Sequence, residues 1–285
     1  MEWMALVLFT VLAEAAVGLM AVYGLYGLTA AAREQSSAYG KLGRTVYLTA
    51  GCTTLAAILI SLEHLGWPLF APRALMGLGS SPLSWEILLT GLFAAGAGAL
   101  WWLSRSRPVA PWLTGICALV GVAATFISGR IYALPAIPAN ANAFPVVLFL
   151  VTALVTGAAL LMLLLAVTEA GKALAPAWLS NLSLLTLGAV VLAAVATWTY
   201  TSAAAGGAPE AQAQAAHFTG STLHLVRLVA GLLLPGAVLI WMARRPARHA
   251  VGAALLVAAV LLGGEIAGRY LFFESTTFLS FTAGL

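Results

Sequence analysis

The sequence predicts an all-α integral membrane protein, one domain over residues 1–285 folded as a bundle of eight transmembrane helices with both termini periplasmic. Three observations predict it. Hydrophobic residues make up 62% of the 285 and charged residues only 8%, for a mean hydropathy of +1.01. Soluble domains carry roughly a quarter charged residues, so a protein of this composition cannot clothe a water-facing surface and its main solvent is lipid. Apolar stretches of about 20 residues, enough to cross a ~30 Å hydrocarbon core, recur between charged or Pro/Gly-rich breaks. The basic residues, finally, alternate from one break to the next.

The spans fall at approximately 4–28, 45–65, 83–103, 112–132, 145–168, 178–203, 220–243 and 250–273. The first reads as a retained helix, because Glu2 stands where a signal peptide wants a basic residue and the apolar run to Leu28 is long enough to span. The breaks after the first, third, fifth and seventh spans hold Arg33, Lys41 and Arg44, then Arg105 and Arg107, then Lys172, then Arg244, Arg245 and Arg248. These are nine of the 13 Lys and Arg, and the opposite breaks hold only Arg73. Positive breaks stay cytoplasmic, which turns both ends outward, toward the periplasm if this is a multi-pass protein of a bacterial cytoplasmic (inner) membrane. The same residues explain the basic balance without nucleic acid. The alanine-rich stretch 203–216 reads as a loop, and the two halves share no repeat. Cys52 and Cys117 stand alone in apolar runs and read as small buried hydrophobes. Without CxxC or CxxCH spacing the protein is expected to hold no iron–sulfur cluster, c-type haem or other metal of its own.

Ionisable side chains are costly near lipid and gather at sites. In this orientation Arg130 and Tyr132 close the fourth span, His224 and Arg227 open the seventh, and Arg269 ends the eighth, all near the outer face. Glu63 and His64 close the second span and Glu86 stands in the first turn of the third. Glu265 lies one turn deeper, and only Glu14 sits in mid-span. Ordinary roles compete for several of these. Arg73 and Arg130 can snorkel, and Trp67, Trp85 and Tyr270 suit an interfacial belt. Glu265 and Arg269, four apart with the acid first, suit an intrahelical pair. Ser81-Pro82 reads as a helix cap with proline at the first position, where an acid such as Glu86 would complement the dipole. His217 and His249 read as loop residues. His64 has the least comfortable ordinary role, because it ends an apolar run from Leu48 to Leu62 and a titratable imidazole at the lip of a membrane helix suits proton transfer.

The run Leu62-Glu63-His64-Leu65-Gly66-Trp67-Pro68, followed by Arg73-Ala74-Leu75 and Ser81-Pro82-Leu83-Ser84-Trp85-Glu86-Ile87, resembles the membrane-anchor subunit family of dimethyl sulfoxide reductase. In that family a His-Leu-Gly-x-Pro run closes the second helix and a Ser-x-Glu-Ile run opens the third. Gly264-Glu265-Ile266-Ala267-Gly268-Arg269 is similar too, and Arg130-Ile131-Tyr132 more weakly. The eight-span plan agrees over nearly the whole sequence, with no match between spans six and seven or beyond Phe273. The resemblance implies an anchor without catalytic chemistry on the terminal substrate, in a respiratory molybdoenzyme complex. It implies a molybdopterin catalytic subunit and a four-cluster iron–sulfur subunit docked on the periplasmic face. It further implies oxidation of quinol (menaquinol or ubiquinol) from the bilayer during anaerobic respiration, electrons passing to the iron–sulfur subunit, and no haem in the anchor. Carried over by position, His64 and Glu86 are the quinol-site residues, with Arg73 as a third and Arg130 and Glu265 after it; Trp67, Tyr132 and Arg269 stand beside these as further candidate quinol contacts.

The chemistry fits those residue types. Quinol oxidation releases two protons with its two electrons. A neutral imidazole such as His64 can accept a hydroxyl hydrogen bond and then its proton, and a carboxylate such as Glu86 can carry that proton to the outer water, kept ionised by a nearby Arg. Three other readings compete. A haem b cytochrome anchor needs paired histidines inside the membrane, whereas the four histidines here avoid helix centres. A transporter would use broken helices and midplane polar groups, of which only Glu14 is one. A purely structural anchor is the third.

Overall fold

The computed structural model describes residues 3–64, 68–244 and 250–277, with the backbone alone for residues 30, 64, 68–72 and 250. Among them there is no strand, and eight helices are long and apolar enough to cross a membrane. They are α1 (Met4–Tyr26), α2 (Ser36–Ser61), α3 (Pro82–Leu103), α4 (Pro111–Tyr132), α5 (Phe144–Val167), α6 (Glu169–Ala205), α7 (Thr222–Arg244) and α8 (Ala250–Glu274). Only helices can span singly, because in lipid each backbone polar group must find its partner within the segment. Proline opens α3 and α4, where its missing N–H costs nothing.

Three sequence expectations shift. α2 begins at Ser36 rather than near 45, so Lys41 and Arg44 ride on its first turns instead of in a loop. α6 begins at Glu169 rather than near 178: the Thr168 hydroxyl accepts from the Gly171 N–H as an N-cap, and the helix runs on through Pro176. At 37 residues it is about 55 Å long, well beyond the ~30 Å hydrocarbon core. The stretch 203–216 is not a loop. α6 continues to Ala205, and a further helix, Pro209–Gly220, follows with Pro209 at its first position and Glu210 in its first turn. Alanine and glutamine are good helix formers, and the proline and acid complete the signal.

α1 and α5 form the centre, α1 packing on α2, α4, α5 and α8, and α5 on α6 as well. Their crossing is set by glycine. A Cβ on Gly18 would run into the Ala153 carbonyl, and one on Gly157 would run into the backbone of Gly18 and Leu19. Without side chains there, the two backbones meet directly, the usual way membrane helices gain contact when no hydrophobic drive separates protein from lipid. Gly157→Leu is expected to abolish recovery of monodisperse protein from membranes. Gly188→Leu, at an exposed α6 position with nothing within 4 Å, should be tolerated. Overpacking usually costs about 1–3 kcal/mol, and a collision with rigid backbone lies at the upper end or above. Size-exclusion profiles of the two variants check this.

Trp3 stacks on Phe273 at 6.0 Å, so the first and last spans meet at one end of the bundle, the terminal end. There Tyr200 of α6 ties down the connecting segments. Its hydroxyl donates to Asn140 Oδ1 at 2.8 Å and accepts from Gln214 Nε2 at 2.7 Å, all three side chains being buried. His217, expected in a loop, lies on the Pro209–Gly220 helix and pairs with Glu274 at 2.7 Å. At the opposite end Tyr23 stacks on Tyr39 at 4.6 Å and Arg105 covers the Trp102 ring at 4.7 Å. Cys117 is buried, whereas Cys52 faces outward from the bundle, so only the first is a core residue. Arg245, Arg248 and His249 lie outside the described residues.

Candidate functional site

Five charged side chains are buried among the described residues: Glu14, Glu86, Arg227, Glu265 and Arg269. They come from α1, α3, α7 and α8, and each has a hydrogen-bonding neighbour. Arg269 Nη2 donates to Glu14 Oε2 at 2.7 Å, with the two side chains 4% and 2% exposed. The Arg269 guanidinium also lies 3.3 Å from the centre of the Phe149 ring of α5, a desolvated cation–π contact. Glu265 Oε2 accepts from the Thr152 hydroxyl at 2.7 Å, and its Oε1 lies 3.8 Å from Arg227 Nη2. Arg227 Nη1 donates to the Thr197 hydroxyl at 3.0 Å.

This corrects the intrahelical Glu265–Arg269 pair read from the spacing. Each residue takes its partner from a neighbouring helix instead. α8 packs against both α1 and α7, and each of these brings a charge opposite to the one α8 presents to it. A buried charge gains more from a desolvated partner at good geometry than a pair on one helix surface gains in water.

The local backbone makes room for this. Residues Arg227–Leu233 form a π-helical turn, just before Pro235, which has no N–H to give Gly231 in α-helical register. Gly231 and Gly264 touch: a Cβ on Gly264 would lie 2.6 Å from the Gly231 Cα. A Cβ on Gly268 would strike the Arg227 Nε. The two glycines that flank Glu265 in Gly264-Glu265-Ile266-Ala267-Gly268-Arg269 therefore admit α7 and its arginine. Thr152, Thr197, Tyr200, Arg227, Glu265 and Arg269 border a cavity with room for about one water.

Glu86 lies apart from that cluster. It is 4% exposed, and its Oε1 accepts from the Ser128 hydroxyl of α4 at 2.5 Å. It is thus no first-turn acid on a helix dipole: Ser81 makes no side-chain cap, and the carboxyl turns inward toward α4 rather than to the helix N-terminus. The Ser84 hydroxyl donates to the Ala74 carbonyl at 2.5 Å and so ties the 3₁₀ segment Pro68–Gly77 to the start of α3. That segment carries Arg73, whose side chain is exposed. His64 ends the 3₁₀ turn Leu62–His64 that continues α2. Its side chain, and Trp67 altogether, lie outside the described residues. The two ends of the His-Leu-Gly-x-Pro run and the start of α3 thus share one corner of the bundle.

Of the other sequence-predicted residues, Arg130 is exposed at the end of α4 and joins none of these contacts. Tyr132 packs among Phe149, Phe272 and Phe273, with ring centroids 4.9–6.1 Å away. It lies within electrostatic reach of Glu86, Arg269 and Glu14.

Comparison with known proteins decides the family. A model of the DMSO reductase anchor subunit matches residues 1–274. The protein belongs to that family. The YnfH polypeptide of an anaerobic dimethyl sulfoxide reductase of Escherichia coli (strain K12) is 30% identical over 282 residues, covering 95% of this sequence and 94% of that one. The C subunit of the anaerobic dimethyl sulfoxide reductase of Haemophilus influenzae is 29% identical over 157 residues, 53% of this sequence and 54% of its own length. As a DMSO reductase anchor subunit, the bundle is the membrane anchor of such a complex.

Two residues of this anchor subunit escaped the sequence-based site. Glu14 stood out as the one mid-span acid and Arg227 as a span-end base, yet neither was joined to a partner, because Glu14 and Arg269 are 255 residues apart. The signal was there: an acid in mid-span calls for a cation somewhere. Ser128, Thr152 and Thr197 gave none, because hydroxyl residues in apolar helices look like filler until their neighbours are known.

Proposed function

We propose that this anchor subunit takes quinol from the bilayer, oxidises it at the corner formed by His64 and Glu86, and passes the electrons to an iron–sulfur subunit docked beside that corner. The observation that carries the reading is the buried Glu86 carboxyl at the start of α3, next to the segment that leads from His64. A carboxyl is costly at that depth, and a proton-accepting task gives a reason for it. The cavity at Arg227 and the one at Glu14 each have room for water and not for a quinone ring. A ring at the His64–Glu86 corner is then met from the lipid-facing surface between α2 and α3.

The steps follow from the groups. One quinol hydroxyl donates to the His64 imidazole and the other is drawn toward the Glu86 carboxylate. As the two electrons leave for the partner's nearest cluster, the two protons move to those acceptors. Ser128 holds the Glu86 oxygen from the far side and fixes its direction. Arg73, Arg130 and Tyr132 stand at the same end and would meet the quinone head or the partner rather than the proton.

The loop charges support the orientation. Arg33, Arg105, Arg107, Lys172 and Arg244 all lie at the end away from the termini, which supports a cytoplasmic reading of that end and a periplasmic one of the termini, with the molybdopterin and iron–sulfur subunits docked there. The membrane is then the bacterial cytoplasmic membrane, and the bound substrate is a membrane quinol such as menaquinol. His64→Ala tests the site. Quinol-driven turnover of the purified complex is expected to fall by roughly 100-fold, the scale of a lost general base, while turnover with a soluble artificial donor persists. Near-normal quinol turnover in this variant would remove His64 from the site.

A further inference from the structure

The cavity on the α1–α4 side sets a carboxyl and several hydroxyls among apolar side chains such as Phe9, Val17 and Phe93. It is bordered by Thr10 and Glu14 of α1, Thr54 of α2, Thr90 of α3, and Thr125 and Ser128 of α4. It has room for about one water. Glu14 presents a second carboxylate oxygen that Arg269 does not use. That atom, Oε1, is fully buried and has no hydrogen-bond partner among the described residues. A buried carboxylate oxygen without a donor is costly, and a water held by the surrounding hydroxyls would satisfy it. Ser128, which holds Glu86 from one side, borders the same cavity as Glu14 on the other.

The charges count the same way. The five buried ionisable side chains are three carboxylates and two guanidiniums, one negative charge in excess in a low-dielectric interior. Arg269 faces Glu14 and Arg227 faces Glu265. Glu86 is held by a hydroxyl. Three other titratable groups stand near the set. Tyr132 of α4 reaches Glu86, Arg269 and Glu14 electrostatically, Tyr200 of α6 borders the cavity at Arg227, and His224 lies within reach of Arg227 on its own helix. None of them adds a charge in its neutral form, so one added proton makes the set neutral.

We propose that Glu14 is a second proton-handling residue of this anchor, joined to Glu86 through Ser128 and one internal water, and that the five buried charges share a single exchangeable proton. This rests on the quinol reading for where the proton comes from. One quinol O–H bond breaks as an O–H bond forms on Glu86, the other hydroxyl gives its proton to His64, and the two electrons leave one at a time through the partner's iron–sulfur clusters. Glu86 then gives a proton to the Ser128 oxygen, the Ser128 hydrogen passes to the water, and a hydrogen of the water passes to Glu14 Oε1. Glu86 is again a carboxylate while the quinone leaves. The stored proton then returns by the same groups to Glu86 and passes to the outer water, and Glu14 is free for the next turnover. Ser128 donates to Glu86 in the resting geometry, so its hydroxyl must rotate once per proton. The relay lets Glu86 be cleared inward, away from the quinone ring that blocks its outward side.

Infrared spectra of the purified complex without quinol, recorded as the pH is lowered from a value at which the buried carboxyls are ionised, test the uptake of the shared proton. A protonated-carboxyl carbonyl band that moves on exchange into heavy water is expected, and it should change in both Glu14→Gln and Glu86→Gln. A band absent, or indifferent to Glu14→Gln, overturns the proposal whatever the quinol assays say. Turnover tests the relay. Ser128→Ala removes one hydroxyl and no charge, and Glu14→Gln with Arg269→Gln removes the ion pair as a neutral unit. Both are expected to lower quinol-driven kcat by roughly tenfold or more, with KM for quinol unchanged. Full kcat in both variants, while His64→Ala is inactive with quinol, overturns the relay and leaves the quinol site standing. Full turnover in His64→Ala strikes the quinol reading instead, and the infrared result then decides Glu14 alone.

Discussion

Glu86→Gln is expected to cut quinol-driven turnover of the assembled complex by roughly 100-fold to 10,000-fold, the range in which positioned general bases contribute. Glutamine keeps the shape of the side chain and can still accept from the Ser128 hydroxyl, so packing between α3 and α4 should hold. What it loses is the ability to take a proton. The expected pattern is a fall in kcat with KM little changed, because the ring is bound by its surroundings and not by this one oxygen. Electrons from a soluble donor enter the partner subunits directly, so that activity should persist and certify assembly. A Glu86→Gln complex that oxidised quinol at the parental rate would show that the carboxyl is there for structure alone.

Arg269→Gln is expected to be the most damaging single change in the interior for stability. It strands Glu14 in the middle of α1, at 2% exposure, with no other cation bonded to it among the described residues to replace the 2.7 Å bond. Removing one partner of a buried pair costs about 3–5 kcal/mol, whereas removing both is often close to neutral. The guanidinium contact with Phe149 and the electrostatic support of Glu265 are lost as well. The single variant should therefore accumulate poorly in membranes and lose its fold at lower temperature in detergent. Combining it with Glu14→Gln should restore most of the yield, since two amides can bond to each other in the same space. Thermal unfolding of the three proteins by tryptophan fluorescence measures this. Equal loss in the single and double variants would mean that packing, not charge, governs the site.

The eight spans were legible in the sequence because hydrophobic length is a property of a segment by itself. Where an edge moved, a local signal had been outweighed: Thr168 and its N–H partner began α6 early, although Lys172 reads as a loop residue. The Glu265–Arg269 spacing was legible too, and it misled, because i,i+4 proximity describes an isolated helix and α8 is flanked by two others that carry charge.

The sequence by itself determined that the protein lives in lipid as eight helices, that it belongs with DMSO reductase anchor subunits, and that His64 and Glu86 close and open neighbouring spans. Those facts depend on composition, run length and short motifs, all of which are local. Only the tertiary structure decided which acid meets which base. Glu14 finds Arg269, Glu265 finds Arg227 and Thr152, and Glu86 finds Ser128, across separations that no pattern along the sequence encodes. The physical reason is that a buried charge is stabilised by whatever lies within a few ångströms of it. That neighbourhood is set by helix crossings such as Gly18 on Gly157 and Gly231 on Gly264, where the absence of a side chain lets two backbones touch.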